Sequence, residues 1–169
     1  RNLPIEQYKL GVVLANSARG SADKIPLLRK SIRLLTESVN AGDPYAKEKL
    51  PIVQNNLGVA LTNSAQGSAE EVPLLREAVK LLTQSLFGGY QRAEKELFAA
   101  EYKLGCALAN STQGSVDEIL RLSEARYLLE NSINFNFQNA KNLPLIHATL
   151  EKINQRLESL NVVSNILYP

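Results

Sequence analysis

Apolar residues recur three or four positions apart along most of the chain. Val53, Leu57, Ala60 and Leu61 mark one such stripe, and Leu75, Ala78, Val79, Leu82 and Leu86 mark another. This is the spacing of one face of an α-helix, since about 3.6 residues make a turn. Between the two stripes stand Gly67, Ser68 and Glu71. Glycine followed by serine, with glutamate three residues on, predicts a helix end and then an N-cap with a capping box. Ser115 and Glu118 repeat the box, whereas the first occurrence has Lys24 at the glutamate position. Pro26 and Pro73 follow shortly, and proline is tolerated in a first helical turn, so the second helix is expected to start near them. A further break falls at Ala41 to Pro44 and at Gly88–Gly89. The expected unit is helix, turn, helix, turn, with no strand.

The pattern repeats with a fixed period. Gly11, Gly58 and Gly105 are spaced by 47 residues, as are Asn16, Asn63 and Asn110, and Leu35, Leu82 and Leu129. Ser38, Ser85 and Ser132 follow the same step, and so do Ala46, Ala93 and Ala140. Gly11 to Leu57 and Gly58 to Leu104 agree at 21 of 47 positions. A period of this length signals a stacked array in which neighbouring units complete each other's core. Adding the period to Leu104-Gly105 gives Glu151-Lys152. The glycine is thus missing where no second helix follows, so residues of about 138–161 are expected to form a capping helix.

Composition narrows the function. Net charge is +2 and charged residues make up 21% of the chain, which supplies no strong field for nucleic acid or acidic membrane. The lone cysteine, Cys106, excludes an intrachain disulfide. No apolar run approaches the roughly 18 residues of a spanning helix. The chain starts at Arg1 and holds no methionine, so it reads as a piece of a longer or trimmed protein. A cytoplasmic location is expected, with a lost N-terminal targeting segment left open.

The motif L-G-x-x-L on the first helix is followed by small residues on the second. It occurs as Leu10-Gly11 with Leu14, Ser31, Leu35 and Ser38; as Leu57-Gly58 with Leu61, Ala78, Leu82 and Ser85; and as Leu104-Gly105 with Leu108, Ala125, Leu129 and Ser132. This resembles the tetratricopeptide repeat. The string Gln54 to Leu61 is similar to its longer variants in kinesin light chains and bacterial signalling proteins. The resemblance covers roughly residues 5–160 and implies an all-α fold: a right-handed superhelical array of antiparallel helix pairs, an α-solenoid. It implies one domain over 1–161, with repeats at about 4–43, 44–89 and 90–137, the cap, and an apolar tail at 162–169. The family's repeat is about 34 residues, so this one is long. The family's aromatics on the first helix are replaced by Gln7, Gln54 and Glu101 and by Leu14, Leu61 and Leu108.

The resemblance further implies a concave groove lined by the first helix of each repeat, suited to a peptide or partner segment. Its candidate lining is Tyr8, Val12 and Asn16, then Asn55, Val59 and Asn63, then Tyr102, Cys106 and Asn110, with Lys9, Asn56 and Lys103 flanking. An asparagine carboxamide both donates and accepts, so Asn16, Asn63 and Asn110 could pair with any peptide backbone. The competing reading is that they satisfy local carbonyls near a helix end. Lys9 and Lys103, with Asn55 and Asn56, suit an acidic side chain or a carboxylate; the alternative is a solvated helix face. Cys106 reads as a small wall residue in place of Val12 and Val59, and His147, the single histidine, as a solvated or packed side chain on the cap. Arg29, Arg33, Arg76 and Lys80 read as a basic column on an outer face. No metal-ligand spacing, phosphate loop or carboxylate pair is visible, so neither a cofactor nor an enzyme is expected. The expected function is protein–protein binding by a scaffold or adaptor module, with nucleic acid disfavoured and no membrane span. Two alternatives stand beside it. One is a sensor domain of a larger signalling enzyme; the other is a self-assembling structural protein that associates through the 162–169 tail.

Overall fold

The computed structural model describes residues 3–20, 22–111, 117–134 and 143–167. They form seven helices and no strand among the described residues: α1 Leu3–Ser17, α2 Lys24–Asn40, α3 Pro44–Ala65, α4 Glu71–Phe87, α5 Ala93–Ser111, α6 Glu118–Asn134 and α7 Leu143–Leu167. The fold is all-α. The helices group into two compact units, Arg1–Leu97 and Phe98–Pro169, each described by itself below.

In the first unit α1 packs on α2, α2 on α3, and α3 on α4, with a smaller contact between α1 and α3. The pairs cross at glycine. A Cβ placed on Gly11 would lie 2.9 Å from Leu35 Cγ, and one placed on Gly58 would lie 2.6 Å from Leu82 Cγ. Leu35 and Leu82 are fully buried. A mid-helix glycine gives up about 1 kcal/mol of helix propensity, and here it lets a leucine of the partner helix lie against bare backbone. Serine supports the same crossings. Ser38 Oγ donates to the Pro4 carbonyl at 2.7 Å, and Ser85 Oγ, one period on, donates to the Pro51 carbonyl at 2.6 Å.

The breaks between pairs are built alike. After α2 the Asp43 amide donates to the Ser38 carbonyl and the Gly42 amide to Val39; after α4 the Tyr90 amide donates to Ser85 and Gly89 to Leu86. These are Schellman closures, which need a left-handed residue, and Gly42 and Gly89 supply it at φ 88° and 96°. Asp43 then starts α3, its carboxylate accepting from the Tyr45 and Ala46 amides at 2.9 and 3.3 Å.

The expected capping box at Ser68 does not form. Helix α4 begins at Glu71 with Glu70 at its N-cap, and Ser68 Oγ accepts from the Glu70 amide at 3.1 Å. The serine closes a tight turn two residues short of the helix, because a short hydroxyl side chain bonds its nearest downstream amide as readily as a helix N-terminus. Ser115, the parallel case, lies outside the described residues. Pro26 and Pro73 do fall in the first turns of α2 and α4.

In the second unit α5 and α6 cross in the same way. A Cβ on Gly105 would lie 2.9 Å from Leu129 Cγ. Ser132 donates to the Leu128 carbonyl of its own helix at 2.9 Å, and Phe98 occupies the position of Pro4 and Pro51. Helix α7 packs on α6 and buries Ile146, Ile153 and Leu157, which follow helical spacing. An ion pair fastens it: Arg156 Nε and an NH2 group reach the two carboxylate oxygens of Glu118 at 2.6 and 3.2 Å. Glu118 is buried, and this two-point contact brings a compensating charge to it. Helix α7 runs to Leu167, past the expected end of the cap at residue 161 and through most of the segment read as a tail; neither glycine nor proline interrupts Asn161 to Leu167.

Candidate functional site

Tyr8 and Lys9 of α1 line a cleft of about 510 Å³ with Pro4, Ile5, the 41–43 turn, Pro44 and Tyr45. It opens where the first turns of α3 pass the start of α1. Pro44 and the Asp43 cap fix the direction in which α3 departs, and that places Tyr45 beside Tyr8. The two rings stand 6.2 Å apart at 39°, a tilted aromatic pair. Tyr45 and Ile5 are exposed. The walls are apolar and aromatic, Lys9 brings a cation to the rim, and Asp43 is engaged as the cap and by Ser38 Oγ at 3.1 Å. Chemically, such a surface takes an apolar or proline-containing side chain with a carboxylate near Lys9.

The remaining candidates divide by exposure. Asn16, Asn63 and Asn110 are exposed, each near the C-terminal end of its own helix. Val12, Val59 and Asn56 are half-buried. Asn55 is not an open lining residue: it is only 9% exposed and its Oδ1 has no hydrogen-bond partner. Helix α3 has neighbours on more sides than α1, which is why Asn55 is enclosed where Tyr8, at the same place in α1, is half open.

In the second unit Tyr102, Lys103 and Cys106 are half-buried. The Tyr102 hydroxyl and Cys106 thiol are hydrogen-bonded, as residues four apart on a helix can be. Burial, with Cys106 adding to it, raises the Tyr102 hydroxyl to about 12. Burial also raises the neighbouring Glu101 carboxyl above its ordinary 4.5. His147 of α7 is exposed.

The basic column on the second helices is not bare. Arg29 of α2 reaches Glu77 of α4 at 2.7 Å, and Arg33 lies 4.0 Å from Glu37 on its own helix. Glu77 lies one period and one residue beyond Arg29, and helix packing brings the two together. Sequence reasoning also passed over Tyr45 and Arg156. The usable signal for Tyr45 was a break in the repeat, since the next copy has Arg92 there. Arg156 carried no local signal, because its partner stands 38 residues away.

No described helix is long and apolar enough to cross a membrane. Among the described residues no group of three His, Cys, Asp or Glu side chains is placed to hold a metal ion. No protein-family profile, curated protein sequence or solved structure matches the chain.

Proposed function

We propose that this chain is a tetratricopeptide-like interaction module. In this reading its helix pairs form one right-handed superhelical array over residues 1–161, and the first helix of each pair presents a groove to a peptide or partner segment. The observation that carries the reading is the crossing repeated at a 47-residue step: Gly11 on Leu35, Gly58 on Leu82 and Gly105 on Leu129, where a Cβ placed on the glycine would lie 2.9, 2.6 and 2.9 Å from the leucine Cγ. A chain that spends its architecture on repetition offers repeated surface rather than a converging catalytic cluster. The aromatic cleft at Tyr8, Lys9 and Tyr45 supplies an anchor for one apolar side chain of the partner, and the exposed Asn16, Asn63 and Asn110 supply amide pairing to its backbone.

Selection of binders from a random peptide library, followed by amide-shift mapping on the protein, tests this. The expected footprint covers Tyr8, Lys9 and Asn63. Tyr8→Ala and Asn63→Ala should weaken binding about tenfold each with little change in melting temperature. A footprint confined to the exposed sides of α2 and α4, or variants that lose stability while binding unchanged, contradicts the reading.

A further inference from the structure

The fold does not require the ring pair of Tyr8 and Tyr45. One period on, α3 and the turn after α4 make the same junction: Ser85 donates to the Pro51 carbonyl at 2.6 Å, as Ser38 donates to the Pro4 carbonyl at 2.7 Å. Asn55 and Arg92 stand there in place of the tyrosines. That copy is closed, since a Cβ placed on Gly88 would lie 2.5 Å from Pro51 Cγ. Ala41, the counterpart of Gly88, instead shares the open cleft with Pro4. The first copy thus keeps two rings and an opening of about 510 Å³ that the junction itself does not use. Tyr45 is 66% exposed.

The polar groups left free in the cleft select the occupant. Among the described residues neither tyrosine hydroxyl makes a hydrogen bond, and Lys9 makes no ion pair. The Asp43 carboxylate is taken: Oδ1 accepts from the Tyr45 and Ala46 amides and Oδ2 from the Ser38 hydroxyl. The free side-chain groups are therefore two hydroxyls and an ammonium, all able to donate. They match an occupant rich in open acceptors. An α-helix has its carbonyls bonded internally. An added strand needs a sheet edge, and the described residues contain no strand. A polyproline II segment leaves every carbonyl open, and its prolines bring no N–H that would need an acceptor. Its rings pack on aromatic walls. Lys9 is the one charged lining residue not already engaged, so an acidic residue beside the prolines completes the match.

We propose that the Tyr8–Tyr45 cleft binds a proline-rich segment of a partner protein in the polyproline II conformation, with an acidic residue next to the prolines. The proline rings lie against the two tyrosines, the hydroxyls donate to the segment's carbonyls, and Lys9 receives the carboxylate. This rests on the reading of the chain as a peptide-binding module and names the class of peptide.

The test is a titration followed by amide shifts, with a short capped peptide of prolines around one glutamate. Shifts are expected at Tyr8, Lys9, Gly42 and Tyr45. Binding should be about tenfold tighter than that of a peptide of the same length with alanine in place of proline, whose chain must be ordered on binding. Tyr45→Ala should weaken binding about tenfold with the melting temperature unchanged, since the ring is exposed. Glutamine in place of the peptide's glutamate should weaken it about threefold, and Lys9→Gln should remove that difference. Equal binding of the proline and alanine peptides, or shifts away from the cleft, overturns the proline-rich partner. Equal binding of the glutamate and glutamine peptides overturns its acidic residue. Library-selected peptides that map onto Tyr8 and Lys9 without enrichment in proline overturn this proposal and leave the peptide-binding reading standing. If no peptide shifts Tyr8 and Lys9, both fall.

Discussion

Gly58 shows how a single missing side chain decides the packing. Alanine would gain about 1 kcal/mol in helix propensity. Its Cβ, however, would sit 2.6 Å from Leu82 Cγ, the branch point of a fully buried side chain that cannot swing aside. Overpacking of this kind costs about 1–3 kcal/mol, so Gly58→Ala is expected to lower unfolding free energy in urea. Leu82→Ala removes the obstruction. The double variant should therefore be less destabilised than the two single changes added together, by about 1 kcal/mol. Simple additivity would mean that the two residues do not touch.

Glu101 gives a pH-dependent test. Burial raises its carboxyl pKa in the folded chain, so folding favours the protonated form. Its contribution is fully present below the ordinary value of 4.5 and is lost as pH rises through the raised folded value. Glu101→Gln should therefore raise the melting temperature at pH 7 and leave it nearly unchanged at pH 3.5. A stabilisation equal at both pH values would place the effect elsewhere. The sequence showed Glu101 only as a departure from an aromatic repeat position. The burial that shifts its ionisation comes from packing, which spacing along the chain does not reveal.

At the level of elements, apolar spacing and the glycine breaks made six helices and both glycine-closed turns legible. Both signals are local: a helix face needs apolar residues at i, i+3 and i+4, and a Schellman closure needs Gly42 or Gly89 one residue past the helix cap. The seventh helix was legible only in part, since its end depends on the absence of a breaker after residue 161. The capping box at Ser68 failed because the same hydroxyl also closes a turn. Of the candidate groove residues, Tyr8 and Lys9 meet in a cleft, but Tyr45 joins them from the start of α3, and its only mark in the sequence is the departure from the period, with Arg92 at the same place in the next copy.

The ion pair between α6 and α7 belongs to this level too. Arg156→Met leaves the buried Glu118 charge without its two-point partner, and the docking of α7 should loosen. Faster amide exchange over residues 143–160, with exchange in α1 to α4 unchanged, is the expected result. Uniformly faster exchange would mean that the pair supports more than the attachment of α7.

At the scale of the whole molecule, the account rests on the 47-residue period being the structural unit rather than a trace left in the sequence. If each unit is a helix pair whose ends match those of its neighbours, removing one whole period should leave a chain that still folds, with fewer helices and lower stability. Deleting residues 44–90 joins Asp43 to Gln91 at the equivalent step, so α2 would run through its Gly42 turn into α5 as it now runs into α3. The decisive measurement is urea unfolding of that shortened chain followed by circular dichroism. One cooperative transition is expected, with helicity per residue matching the parent and a smaller denaturant slope in proportion to the surface removed. Loss of cooperative unfolding, or a chain without helix, would contradict the repeat as the unit of this fold.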